Sequence, residues 1–133
     1  MQAADLVNPF REGLRTDRAT VPCQLVIFGA SGDLTNRKLL PAIYNLAQAD
    51  LLPPAFCMVG FARKEQSDDE FRQALKHAVA TSGDVRVRDD AIVERLAGVT
   101  HYLSGDFHDA PAYERLSKAL RDYDAQYHTG GNR

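Results

Sequence analysis

Between Cys23 and Pro41 the chain reads CQLVIFGASGDLTNRKLLP: an apolar run, a turn with two glycines, then cationic and apolar residues at helical spacing. The continuous run Gln24-Leu25-Val26-Ile27-Phe28 predicts a strand buried on both faces, as in a parallel sheet. After Gly32, the residues Leu39, Leu40, Ile43, Leu46 and Ala47 fall on one helical stripe. Pro41 stands inside that stripe, without an amide donor and crowding the preceding turn, which predicts a kink or two abutting helical pieces. A buried strand that passes directly into a helix through glycine restricts the architecture severely, because the strand needs parallel neighbours and the helix must return across the sheet.

The rest of the sequence supplies those neighbours. Phe56-Cys57-Met58-Val59-Gly60-Phe61 is a second buried-strand pattern, entered after Pro53-Pro54. Ser67-Asp68-Asp69-Glu70 has the spacing of a capping box, and Phe71, Leu75 and Ala78 continue that helix on one face. A short helix follows over Asp89 to Ala97, with Ile92, Val93 and Leu96 inward, and Val99 to Leu103 reads as a third strand. The last helix starts near Asp109 to Pro111, with Tyr113, Leu116, Leu120 and Tyr123 on its apolar stripe. Strands that alternate with helices in this way imply right-handed parallel crossovers. The fold class is therefore α/β: a Rossmann-like doubly wound parallel sheet, incomplete, with three strands and intervening helices.

The turn Gly29-Ala30-Ser31-Gly32-Asp33-Leu34 lies where such a fold approaches a nucleotide. Glycine reaches backbone angles closed to other residues, and the amides and dipole at the start of the helix suit a pyrophosphate. The spacing is a GxxG variant rather than the full GxGxxG fingerprint, and Asp33-Leu34-Thr35 stands where a P-loop needs Gly-Lys-Ser/Thr. A glycine-rich turn that binds nothing is the alternative. The second strand ends Gly60-Phe61-Ala62-Arg63-Lys64, with no acid at its tip and Glu65 only after the basic pair. An acid there would accept from the adenine ribose and favour NAD, whereas Arg63 can fork onto a 2′-phosphate and Lys64 can add a point charge. This points to NADP, with NAD use also possible, against the alternative of a solvated basic pair.

Composition narrows the function classes. The chain has 133 residues, a net charge of −2 and 26% charged residues, the profile of one ordinary globular domain. There is no broad basic footprint for nucleic acid, no apolar run of membrane-spanning length and no secretory leader pattern over the first twenty residues. Cys23 and Cys57 belong to no metal or redox motif and read as buried free thiols, which suits a reducing, cytoplasmic compartment. His77, His101, His108 and His128 lack metal-ligand spacing and are read as structural or surface residues. No metal site is expected. Residues 1–22, with Asn8-Pro9 and Val21-Pro22, read as a polar arm ahead of the domain over 23–133.

The stretches IFGASGDLTNRKLLPAIYNL, VGFARK and YLSGDF, in that order, resemble the amino-terminal coenzyme domain of the glucose-6-phosphate dehydrogenase family. NPFREGLR, before them, resembles the arm of some bacterial members. The resemblance implies a coenzyme loop of Gly29, Ala30, Ser31, Gly32, Asp33, Leu34, Thr35 and Asn36, with Arg63 on the 2′-phosphate of NADP. It also implies that Lys38, the lysine of the RKLLP match, reaches both the sugar substrate and the coenzyme. The implied reaction passes hydride from C1 of glucose 6-phosphate to NADP and yields 6-phosphogluconolactone, the entry to the pentose phosphate pathway. The family's base is a histidine paired with an aspartate in a larger second domain, whose motif is missing here, so no catalytic residue is assigned.

Two expectations follow from that departure. The chain is a truncated or partial copy whose activity belongs to the complete enzyme, where glucose 6-phosphate binding and oligomer formation would reside. The other reading is a stand-alone nucleotide-binding or interaction module without catalysis. In either case the fourth strand of the fold is absent, and the first strand is expected to carry an unpaired apolar edge.

Overall fold

The computed structural model describes residues 21–133, so the expected arm over 1–22 lies outside the described residues except for its last two. Three parallel strands, β1 (Cys23–Phe28), β2 (Phe56–Ala62) and β3 (Thr100–Ser104), form one sheet in the order β1-β2-β3. Phe28 lies opposite Phe61, and Gly60 lies between Ile27 and Tyr102. Helices α1 (Leu40–Gln48), α2 (Asp68–Thr81) and α3 (Asp90–Gly98) enclose the larger core on one face. Helix α4 (Ala110–Tyr127) packs Ala112, Leu116 and Leu120 against Val59 and Phe61 on the other. This is one half of a doubly wound sheet, as expected from the alternation of strand and helix patterns.

All seven residues of β2 are buried, and the continuous apolar run there is explained by cover on both faces. The same expectation fails for β1. Leu25 and Phe28 are 37% and 54% exposed, because β1 is an edge strand among the described residues. Phe28 rests instead on Phe61 and Phe107 in an aromatic cluster at the carboxyl end of the strands.

The break anticipated at Pro41 takes the form of a π-helical turn, Thr35–Leu39, running straight into α1. The Leu40 N–H donates to the Thr35 carbonyl, five residues back. This widened turn accommodates a ring that would otherwise strike the carbonyl one α-turn before it. The inserted residue rotates the apolar stripe by about 100°. Leu40 and Ile43 are buried as expected, but Leu39 and Leu46 are exposed and Pro41 and Tyr44 are buried.

Helix α2 begins at the expected capping box: the Glu70 N–H donates to Ser67 Oγ at 3.1 Å, and the Ser67 N–H donates to Glu70 Oε1 at 3.2 Å. Such a cap contributes about 0.5–2 kcal/mol. Its first turn also closes the outer edge of β3. Asp68 Oδ1 accepts from the Tyr102 N–H at 2.8 Å, and Arg72 Nε donates to the Thr100 carbonyl at 2.9 Å. These side chains stand in for a neighbouring strand, which blunts an otherwise adhesive edge. The β1 edge is met at its start by the residues after α4, where the Gln24 N–H donates to the Asn132 carbonyl at 2.9 Å. Gln24 Nε2 donates to the Leu120 carbonyl and to Asp124 Oδ1, while Arg133 pairs with Asp124 at 3.0 Å. Hydrogen bonds from Thr129 and Gln24 hold the Asp124 carboxyl down at about 2.

Candidate functional site

The turn after β1 is fixed from below. The Gly29 and Ala30 amides both donate to the Phe61 carbonyl, at 2.9 and 3.3 Å, which ties the turn to the end of β2. Gly29 has φ +76°, a left-handed conformation suited to glycine. Its carbonyl then accepts twice, from the Gly32 N–H at 2.9 Å and Thr35 Oγ1 at 3.1 Å. The Asn36 amide and side-chain nitrogen both donate to the Gly32 carbonyl at 3.2 Å. Thr35 and Asn36, expected to face the coenzyme, thus also brace the turn.

These bonds decide which amides remain for a ligand. Those of Gly29, Ala30 and Gly32 are spent inside the protein, so these residues contribute shape. The Asn36 bond to Gly32 begins the helical ladder, leaving Asp33, Leu34 and Thr35 in the first turn, where no carbonyl lies one turn back to accept their N–H groups. Three adjacent amides at the positive end of a helix fit a pyrophosphate. Leu34 is 66% exposed at this end, and Asp33 turns its carboxylate to Arg37 at 3.1 Å. The backbone is also bare where the turn meets the sheet: a Cβ on Gly60 would fall 2.7 Å from the Ala30 Cβ.

Arg63 and Lys64 leave the tip of β2 exposed to solvent, two and three residues beyond the carbonyl that anchors the turn. Among the described residues no carboxylate pairs with either cation, so both are available to an anion. The glycine turn and the strand tip that carries Arg63 are joined through the Phe61 carbonyl. Between them stands Tyr102, a residue the sequence reading passed over. Its hydroxyl donates to the Lys64 carbonyl at 2.6 Å. Burial pushes its phenol above the ordinary value, against the pull of Gln66 and Ser31. The alternation in THYLS was the available signal, since it sets Tyr102 on the same face as Thr100, toward α2.

Lys38 is directed elsewhere. Its ammonium pairs with Asp84 at 3.1 Å across an open groove lined by Arg37, His77 and Ser82. Both partners are mostly exposed, so the pair is weak and readily exchanged for another anion. Of the histidines, His77, His108 and His128 are exposed. His101 is buried with both ring nitrogens engaged, Nδ1 to Asp68 Oδ2 at 2.8 Å and Nε2 to the Tyr127 hydroxyl at 2.6 Å, and its ring stacks on Tyr123. That array joins α2, β3 and α4.

Residues 26–133 match the family described as glucose-6-phosphate dehydrogenase, NAD binding domain. The chain belongs to the glucose-6-phosphate dehydrogenase family. It is 40% identical over 132 residues to glucose-6-phosphate 1-dehydrogenase 2 of Mycobacterium tuberculosis, covering 98% of this chain and 26% of that protein. It is 44% identical over 125 residues to glucose-6-phosphate 1-dehydrogenase of Chlamydia pneumoniae, covering 91% of this chain and 23% of that protein. Among solved structures, a glucose-6-phosphate dehydrogenase in complex with its substrate glucose-6-phosphate aligns with a TM-score of 0.73 at 25% identity, covering 90% of this chain and 24% of that one. The enzyme of Mycobacterium avium aligns with a TM-score of 0.64 at 31% identity, over 74% of this chain and 21% of that one. The chain thus spans about a quarter of the length of the curated relatives it matches, and corresponds to their amino-terminal, dinucleotide-binding part. No helix among the described residues is long and apolar enough to cross a membrane.

Proposed function

We propose that this chain supplies the coenzyme-binding part of an NADP-dependent glucose-6-phosphate dehydrogenase. The observation that carries the reading is the pairing of an anchored glycine turn with Arg63 and Lys64, exposed and without carboxylate partners among the described residues, at the adjoining strand tip. The first-turn amides of Asp33, Leu34 and Thr35 would hold the pyrophosphate, and Gly29, Ala30, Ser31, Gly32 and Asn36 would shape the loop around it. Arg63 would fork onto the 2′-phosphate, with Lys64 adding charge. The coenzyme supplies a hydride acceptor. The reaction removes hydride from C1 of glucose 6-phosphate and a proton from its hydroxyl, so it needs a base, which we place outside this chain. Lys38 would release Asp84 to meet substrate or coenzyme oxygens.

On this reading the activity is cytoplasmic and belongs to the oxidation of glucose 6-phosphate to its lactone. Two free thiols suit a reducing compartment, one of them, Cys57, pushed up to about 12 by burial and thus inert. The test is a calorimetric titration of the chain with NADP⁺ and NAD⁺. Arg63→Ala is expected to weaken NADP⁺ binding about ten- to hundredfold, the worth of a charge-assisted hydrogen bond, with little change for NAD⁺. Equal losses for both coenzymes would remove Arg63 from this role.

A further inference from the structure

We infer that Tyr102 is a positioning residue for 2′-phosphate recognition, acting through the Lys64 carbonyl. The inference rests on the coenzyme reading above and adds a residue from the third strand to a site otherwise built from the first two.

Tyr102 reaches this position because its register partner on β2 is Gly60, which has no side chain to block it. Tyr102 is buried and its ring packs on Phe71 with centroids 5.3 Å apart, so its orientation is set by the core. The hydroxyl donates its proton to the Lys64 carbonyl at 2.6 Å. Because burial raises the phenol, the proton stays in place across the physiological range.

That bond ties the third strand to the tip of the second, and holding the Lys64 carbonyl inward restrains the backbone on which the Arg63 and Lys64 side chains are mounted. The tip is otherwise a short irregular segment between β2 and the cap of α2, and each residue left loose there costs ordering when ligand binds. A 2′-phosphate makes its contacts at this tip, whereas the pyrophosphate depends on the first-turn amides of Asp33 to Thr35. Loss of the hydroxyl should therefore fall unevenly on the two coenzymes.

The experiment is calorimetric titration of the full chain and its Tyr102→Phe variant with NADP⁺ and NAD⁺, with Arg63→Ala in parallel. Tyr102→Phe keeps the ring packing and should weaken NADP⁺ binding about three- to tenfold while NAD⁺ changes less than about twofold, the range expected for one net hydrogen bond. A merely structural hydroxyl would weaken both alike, and an unchanged NADP⁺/NAD⁺ affinity ratio would overturn the inference. If Tyr102→Phe does not fold, Tyr102→Met also removes the hydroxyl, and an unchanged ratio there has the same force. Should the unaltered chain hold both coenzymes equally and Arg63→Ala change nothing, the NADP reading itself fails and takes this inference with it. Should Arg63→Ala behave as expected while Tyr102→Phe keeps the ratio, only the role of Tyr102 falls.

Discussion

Adding one methyl group at Gly60 should damage both the fold and the proposed coenzyme site. An alanine Cβ there would lie 2.7 Å from the Ala30 Cβ and 2.9 Å from two carbons of the Phe71 ring. Carbon–carbon contacts are favourable from about 3.5 Å, so the shortfall is about 0.6 to 0.8 Å. Phe71 has nowhere to go, being buried and packed on Tyr102, so the strain passes to Ala30 and the glycine turn. Overpacking of this kind costs about 1–3 kcal/mol, and the smaller unfolded-state entropy of alanine offsets about 0.4–1 kcal/mol. A net loss of about 1–2 kcal/mol corresponds to a drop in Tm of roughly 4–8 °C for a domain of this size. Gly98→Ala is the matched control: no atom lies within 4 Å of the added methyl, and it ends helix α3, so Tm should hold or rise slightly. Thermal melts followed by circular dichroism, with NADP⁺ titration of each variant, make the comparison. If Gly60→Ala melts with the unaltered chain and binds coenzyme equally well, the close approach of turn and strand does not constrain the site as argued.

Two further outcomes follow from side chains that hold distant segments. The Tyr44 hydroxyl donates to the Val87 carbonyl at 2.6 Å and accepts from the Asp89 N–H at 2.8 Å, which ties the loop before α3 to α1. Tyr44→Phe should cost about 1–3 kcal/mol in urea unfolding and speed exchange of the Asp89 amide, and unchanged exchange would count against the tie. The Asp124 carboxyl stands at about 2 in the folded chain against an ordinary 3.8, so its contribution to stability is fully present above about pH 4 and is lost as the pH falls toward 2. Asp124→Asn should flatten that part of the pH–stability profile, and an identical acid transition in both proteins would exclude the network as its source.

Much of the molecule was legible along the chain because its signals are local. The capping box at Ser67, the run Phe56 to Phe61 and the glycine turn are each specified by neighbours within a few residues, and each formed where the pattern placed it. The stretch Gly29 to Asn36 and the basic tip at Arg63 were likewise readable, since strand order alone brings the ends of β1 and β2 together. What sequence could not supply was cover. The exposure of Leu25 and Phe28 follows from which strand lies at the edge, and the rotated stripe of α1 follows from how a π-turn relieves Pro41. Only the folded chain decided that the Gly29 and Ala30 amides are used up by Phe61, which leaves the amides of the helix that follows as those we propose for the ligand. Tyr102, 38 residues from Lys64 in the chain, meets the tip of β2 for the same reason: a hydrogen bond depends on distance in space, and the sequence sets that distance only through the packing of every element between.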